Sequence, residues 1–502
     1  MNNLAYKLVE NYKYMPHKKC LIQGERQLDY EQLYNMVSNF KRYLEESGIK
    51  KEQKILILVP MSIELYITLL AIWAIGAIPS FMDVGFIKSG MKRNEFNDIN
   101  AIIGTNKYIV YSNINKNLKK LETKINVNII KTLQYNEKLE IEEIKKDFPG
   151  ILTYTSGTTG KPKVAERTHE FLKAQGEILE KSLNYEKTDI EISTIPIFTL
   201  SNINVGITTI IADAKFSNLG KSNPKKIINQ IVKNKANRIM AAPGLLNVII
   251  NYCIKNGIML ESIKKIFTGG GAIFIDFLEK MKKVFPNSEI VTLYGSTEAE
   301  PIAELNIKTI SKKDIERIKD GYGILAGNIV GVDECKIIKT GQKEIGLLTM
   351  QQFEELQTDG IGEITVTGKN VLKGYVNGLG DKENKFSVEE KRFHRTGDMG
   401  IFDEYGRLWL RGRIKEPYFN IEAALHAKFD IGKTAVLKNN EKIILILERK
   451  NKIPEIDIKK AITFEKIDEI RYVKRIPVDK RHSTKVDYNE LRKILKRTEK
   501  KR

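Results

Sequence analysis

With 502 residues, 42% of them apolar, the chain is longer than one hydrophobic core usually organises, so two or more globular domains are expected. Three widely separated cysteines, Cys20, Cys253 and Cys335, match no metal-ligand spacing and five histidines form no HxxxH or HExxH cluster, which argues against a metal cluster and for a reduced, cytoplasmic compartment. The net charge of +20 raises nucleic acid or anionic membrane as partners, yet most of the excess is spread through Lys/Ile/Asn-rich sequence and reads as solvated lysines.

In chain order, the N-terminus MNNLAYKLVENYKYMPHKK has its apolar residues broken by charges and does not read as an export signal. ERQLDYEQLYNMVSNFKRYL reads as an N-terminal helix. Leu65 to Phe81 is uncharged over nearly a membrane-spanning length. Gly76 and Pro79 interrupt it and strand-like runs flank it, so it is read as a buried crossover helix between strands at Ile55–Val59 and Ala77–Met82.

Strand-like runs then alternate with helical stretches as far as about Leu293. KILILVP, AIPSFMD, INAIIGT, KYIVYSN, GITTIIAD, ANRIMAAP, KKIFTGG and SEIVTLYG are expected to be strands, and PKKIINQIVKN and FIDFLEKMKKVF helices. This is the pattern of an α/β fold with mainly parallel sheets. From Gly323 to Arg411 shorter runs such as ECKIIKT, GEITVTG and RLWLRG suggest a more antiparallel, β-rich subdomain. A boundary near Arg413 leaves a large domain of residues 1–414 and a small, mobile α+β domain of residues 415–502. The segment from Glu416 onward carries 23 Lys/Arg against 14 Asp/Glu, as suits a module closing over a polyphosphate. Its last helix is expected at Asn489–Arg497.

The chemistry starts at ILTYTSGTTGKPKVAERTH. A β-rich run, Ile151 to Tyr154, leads into Thr155, Ser156, Gly157, Thr158, Thr159, Gly160, Lys161, Pro162 and Lys163. Two glycines allow close backbone approach, four hydroxyls and successive N–H groups donate to phosphate oxygens, and two lysines add charge. Only two residues separate the glycines, so this is no Walker loop. The bland reading is a flexible surface turn, but random loops seldom gather so many donors after a buried strand.

This segment resembles the phosphate-binding motif of the acyl-adenylate-forming superfamily, which includes acyl-CoA synthetases, luciferases and peptide-synthetase adenylation domains. Further segments follow in the order that family shows. Thr268-Gly269-Gly270-Gly271-Ala272 is similar to its Gly-Gly-Ala turn, where Gly270, Gly271 and Ala272 would lie against the nucleotide. Val291 to Glu298 resembles YGxTE, which implies Tyr294 on adenine, Gly295 at the nucleotide, Thr297 on phosphate and Glu298 on Mg²⁺. His394-Arg395-Thr396-Gly397-Asp398 resembles the TGD motif, giving Asp398 the ribose hydroxyls. Gly412-Arg413-Ile414-Lys415 is similar to the hinge, with Arg413 on ribose and Lys415 as pivot. Ile476 to Lys485, ending PVDKRHSTK, resembles the catalytic lysine motif and makes Lys485 the mobile ammonium. The resemblance implies ATP and Mg²⁺ as cofactors, a ligase-type activation of a carboxylic acid, and no nucleic-acid partner or membrane span.

Within that superfamily PVDKRHSTK, Pro196-Ile197-Phe198-Thr199-Leu200, IPSFMDVGF and NPKKIINQIV are similar to bacterial olefin β-lactone synthetases, which cyclise β-hydroxy acids. That implies a fatty or β-hydroxy fatty acid substrate. The departure comes after the hinge, where Lys415 runs into Glu416-Pro417-Tyr418 without the usual Gly-containing loop. Transfer to CoA or to the phosphopantetheine of an acyl carrier protein is thereby put in question. An acid-thiol ligase and a non-catalytic nucleotide-binding relative stand as the alternatives.

Overall fold

The computed structural model describes residues 2–82, 87, 98–135, 137–155, 163–439, 441–449, 453–479 and 485–499. The chain divides into two compact units, Met1–Ala212 with Lys369–Lys382, and Asp213–Gly368 with Glu383–Arg502.

The first unit contains a six-stranded sheet in the order Thr123–Asn126, Ile99–Gly104, Lys54–Leu58, Ile78–Phe81, Pro149–Thr155 and Lys163–Thr168. All neighbours are parallel except the last pair. The long apolar stretch resolves as expected, with every residue of the helix Ile63–Ile75 buried between two strands. Ser62 caps that helix by accepting from the Leu65 amide, and Gly76, at φ 74°, ends it in the left-handed conformation that only glycine adopts freely. No described helix is long and apolar enough to cross a membrane. In the N-terminal stretch Arg26–Asp29 is a strand, and the helix starts at Tyr30 behind a capping box of Asp29 and Gln32.

A second segment departs from the sequence reading. KYIVYSN lies in the helix Asn106–Ile114, not in a strand. The strands on either side, Ile99–Gly104 and Thr123–Asn126, are parallel neighbours, so the chain between them has to travel back, and a helix does so. Only Ser112 of that helix is fully buried, while Tyr108, Ile109 and Tyr111 pack, partly buried, against the core of Leu56, Ile99 and Leu118, so its aromatic and β-branched residues reach that core from a helix and do not require a strand.

In the second unit Arg238–Met240, Lys265–Gly269 and Glu289–Ser296 are parallel neighbours. Antiparallel pairing begins with Ala299–Asn306, earlier than the expected Gly323, and continues through Ile324–Ile329, Leu408–Arg413, Lys391–Phe402, Gly362–Thr367 and Glu334–Ile338. After Arg413 come the helix Phe419–Lys428 and a three-stranded sheet of Thr434–Asn439, Lys442–Glu448 and Glu469–Val473. Two apolar clusters flank that sheet. One is built on Ile421, Leu425 and Leu445, the other on Leu437, Ile446, Leu491 and Leu495. The last helix spans Tyr488–Glu499.

Candidate active site

Asp398 is the best-defined group of the site. The strands Lys391–Phe402 and Leu408–Arg413 form a hairpin whose register sets Asp398 opposite Arg413. Arg413 Nε lies 2.9 Å from Asp398 Oδ1, and the Tyr294 hydroxyl donates to Oδ2 at 2.9 Å. The Asp398 backbone amide donates to Thr396 Oγ1 at 3.1 Å, and the Thr396 hydroxyl donates to the Ile364 carbonyl at 2.9 Å. Gly397, at φ 71°, supplies the left-handed kink between them.

Behind this kink lies a buried ion pair that sequence reasoning missed. Glu363 accepts from Arg395 at 2.5 Å and, through its other oxygen, from the Gly397 amide at 3.3 Å. Arg395 also holds the Gln342 and Lys343 carbonyls. The available signal was a carboxylate inside GEITVT, a strand whose every residue is buried. A charge is placed there only with a partner.

Burial raises the Asp398 pKa. Arg413, the Tyr294 hydrogen bond and the Lys485 charge oppose that rise, while the Glu298 charge adds to it. Burial, with the Asp398 charge behind it, holds the Tyr294 phenol well above its ordinary range, so it stays a neutral donor at neutral pH. Glu298 and Lys485 thus both act electrostatically on the carboxylate that Tyr294 and Arg413 hold.

Thr297 and Glu298 form the two-residue connection between Ser296 and Ala299, which pair across the hairpin. Both are half-buried. Gly295 makes this turn possible, because a Cβ there would stand 2.8 Å from the Ala299 carbonyl oxygen. One strand over, Gly269 pairs with Leu293, so the glycine turn Gly269–Ala272 and the Tyr294 turn leave the same end of the sheet. In α/β proteins the carboxyl ends of parallel strands are where ligands bind. A Cβ on Gly269 would stand 2.4 Å from the Leu293 carbonyl oxygen, and Gly270 has φ 83°. Ala272 and Phe274 pack against Leu305, Ile324 and Trp409.

Arg413 and Glu416 exchange backbone hydrogen bonds of 3.1 and 2.9 Å, leaving Ile414 and Lys415 as a two-residue turn. Lys415 is exposed at its tip. The shortening seen after the hinge in the sequence is therefore a tight turn leading almost directly into the helix Phe419–Lys428. Lys485 is exposed. Its amide donates to Asp479 Oδ1 at 3.1 Å and its carbonyl accepts from the Asp479 amide at 2.8 Å.

In the first unit, Thr155 and Lys163 are register partners on adjoining antiparallel strands. Ser156, Gly157, Thr158, Thr159, Gly160 and Lys161 lie outside the described residues. Lys163 is buried, its ammonium 5.2 Å from the centre of the Tyr375 ring and packed against Gly380. Among the described residues no group of three His, Cys, Asp or Glu side chains is placed to hold a metal ion. A metal here would draw its remaining ligands from phosphate and water.

The model of the family of AMP-binding enzymes matches residues 8–376, about three quarters of the chain. The chain belongs to the AMP-binding enzyme family. It is 26% identical over 281 residues to the olefin beta-lactone synthetase of Xanthomonas campestris pv. campestris, covering 55% of this chain and 49% of that protein. It is also 26% identical to the corresponding enzyme of Stenotrophomonas maltophilia over 279 residues, 53% of this chain and 48% of that one. The chain thus spans about half the length of these curated relatives in the matched region. A 4-coumarate-CoA ligase of Narcissus pseudonarcissus is 24% identical over 97% of this chain and 92% of its own.

Among solved structures, ATP-bound MatB from Rhodopseudomonas palustris superposes with a TM-score of 0.79 at 17% identity, covering 98% of both chains. O-succinylbenzoate coenzyme A synthetase (MenE) from Bacillus subtilis, in complex with AMP, does so with 0.76 at 19% identity, covering 97% of both. At such identities these likenesses establish the AMP-binding fold of the chain.

Proposed function

We propose that this AMP-binding enzyme converts a carboxylic acid into its acyl-adenylate, consuming ATP and releasing pyrophosphate. The observation that carries the reading is the Asp398 carboxylate. Its Oδ2 accepts the Tyr294 hydrogen bond, its Oδ1 is ion-paired with Arg413, and each oxygen keeps a lone pair, which is the capacity needed for the two ribose hydroxyls of a nucleotide. Thr155 to Lys163 takes the triphosphate, by the resemblance of its sequence. Glu298 fits Mg²⁺, a hard cation that needs only one or two protein carboxylates beside phosphate oxygens and water. When bound, Mg²⁺ neutralises charge on the departing pyrophosphate.

The substrate carboxylate attacks the α-phosphorus. A carbon-bound oxygen forms the new P–O bond while the bond to the β-phosphate oxygen breaks. Both reactants are anionic, so the Lys485 ammonium lowers the barrier by standing where that charge concentrates. The negative charges of Asp398 and Glu298 attract the same ammonium towards the site. Presence of Glu298, Asp398 and Lys485 weighs against a non-catalytic relative. Three free thiols suit a reduced cytoplasm.

For the second step the two-residue turn after Arg413 and the PVDKRHSTK segment favour a β-hydroxy fatty acid that closes on itself. The substrate's own hydroxyl oxygen bonds to the activated carbonyl carbon, AMP leaves, and the hydroxyl proton passes to solvent, giving a β-lactone. Transfer to CoA or a carrier-protein thiol is the competing outcome, in keeping with the CoA ligases among the relatives.

The test follows pyrophosphate release across fatty, β-hydroxy, aryl and amino acids, with and without CoA, with products identified by mass. Acid-dependent release and a product lighter than the hydroxy acid by one water support the reading. Release independent of every acid refutes adenylation, and a CoA thioester refutes lactone closure.

A further inference from the structure

We infer that Glu416 is a positioning residue, which through its ion pair with Arg492 ties the Arg413 turn to the helix following Lys485 and so sets where the Lys485 ammonium stands. The inference rests on the proposed role of Lys485 in adenylation.

Glu416 sits at the junction of two kinds of contact. Its backbone closes the Ile414–Lys415 turn in both directions onto Arg413, the residue that holds Asp398. Its side chain, 7% exposed, is ion-paired with Arg492, which is 41% exposed. Arg492 belongs to the helix Tyr488–Glu499, which begins three residues after Lys485. That helix is fixed to the small sheet by Leu491 and Leu495 and held at its start by Asp487, whose carboxylate accepts from the Glu490 amide at 3.0 Å. Just before it, Val486 bridges to Val478 and Lys485 pairs with Asp479, so Lys485 has little freedom relative to the helix.

A continuous path results: Asp398 to Arg413 by side chains, Arg413 to Glu416 by backbone, Glu416 to Arg492 by charge, and along the helix to Lys485. Each link is stiff. Leu491 and Leu495 hold the helix against the sheet, but apolar packing is non-directional. A charged pair adjoining Leu491 supplies the direction. A buried carboxylate is a poor choice for stability, because desolvation offsets most of the attraction. Its use next to the hinge turn is explained by geometry: the short turn carries no loop of its own to place the C-terminal module, and Glu416 does so instead.

The experiment compares Glu416→Gln, Arg492→Met and Arg492→Lys in the full chain. In acid-dependent pyrophosphate release the first two are expected to lower kcat about tenfold with KM for ATP within about twofold of wild type, as for a misplaced transition-state charge. Arg492→Lys, which keeps the charge, retains most of kcat. Hydrogen exchange read on the same proteins should show faster exchange across residues 488–495 in Glu416→Gln and Arg492→Met alone. A kcat loss matched by a KM rise, or unchanged exchange in that helix, overturns the inference. Arg492→Met, changed at the exposed end of the pair, serves if Glu416→Gln fails to fold. If wild type releases no pyrophosphate with any acid, the adenylation reading and the positioning role of Glu416 fall together. The exchange data then still report whether the ion pair couples turn to helix.

Discussion

Asp398 and Arg413 face each other across a β-hairpin, carboxylate oxygen to guanidinium nitrogen 2.9 Å apart, and Tyr294, 104 residues away in sequence, holds the second oxygen. The carboxylate is 15% exposed and the guanidinium 53%. The acid is thus embedded while its counter-charge stands at the rim. This arrangement keeps a buried anion oriented and leaves lone pairs for a ligand.

Asp398→Asn is expected to reduce kcat/KM for ATP by about a hundredfold, since the amide replaces two charge-assisted acceptors and turns a donor towards Tyr294 or Arg413. Steady-state pyrophosphate release at varied ATP measures it. An unchanged KM and kcat removes Asp398 from the nucleotide site.

Lys485→Ala should lower kcat of adenylation by about 10²-fold or more while nucleotide binding, followed by protection of the fold against heat at varied ATP, stays within a few-fold. Equal loss of binding and turnover assigns Lys485 to ground-state binding instead.

Gly269→Ala and Gly176→Ala make opposite predictions. A Cβ at Gly269 meets the Leu293 backbone oxygen at 2.4 Å, so the substitution costs about 1–3 kcal/mol. Gly176 lies inside the helix His169–Leu183 with nothing within 4 Å of a Cβ, so alanine there stabilises by about 0.5–1 kcal/mol through helix propensity. Denaturant melts of both proteins decide it, and a stabilised Gly269→Ala contradicts the close approach of the two strands.

Glu422, on the helix after the hinge, is buried, and burial raises its pKa to about 8, with Glu416 contributing and the Val436 backbone opposing. A carboxyl raised on folding favours the folded state fully below its unfolded pKa, near 4.5, and that contribution is lost as pH rises towards 8. Glu422→Gln should therefore flatten the decline of stability between those limits, by a few kcal/mol at the upper end as an order of magnitude. Melting temperatures across pH 5–8.5 test this, and parallel curves for the two proteins count against it.

The sequence by itself determined the alternation of strands and helices, the partition of the apolar stretch around Gly76 and Pro79, and the order of the glycine turn, the Tyr294 turn, the Asp398 segment and Lys485. Those features are local: hydrophobic period, a glycine where a Cβ cannot fit, and polar groups at fixed spacing act within a few residues. Only the tertiary structure decided that KYIVYSN is helical, because a parallel pair of strands demanded a return path. Likewise it alone joined Glu363 to Arg395, Tyr294 to Asp398 and Glu416 to Arg492, partners separated by 32, 104 and 76 positions. Pairing of buried charges is settled by which strands and helices come to lie side by side, and one chain's local pattern carries no record of a neighbour that far away.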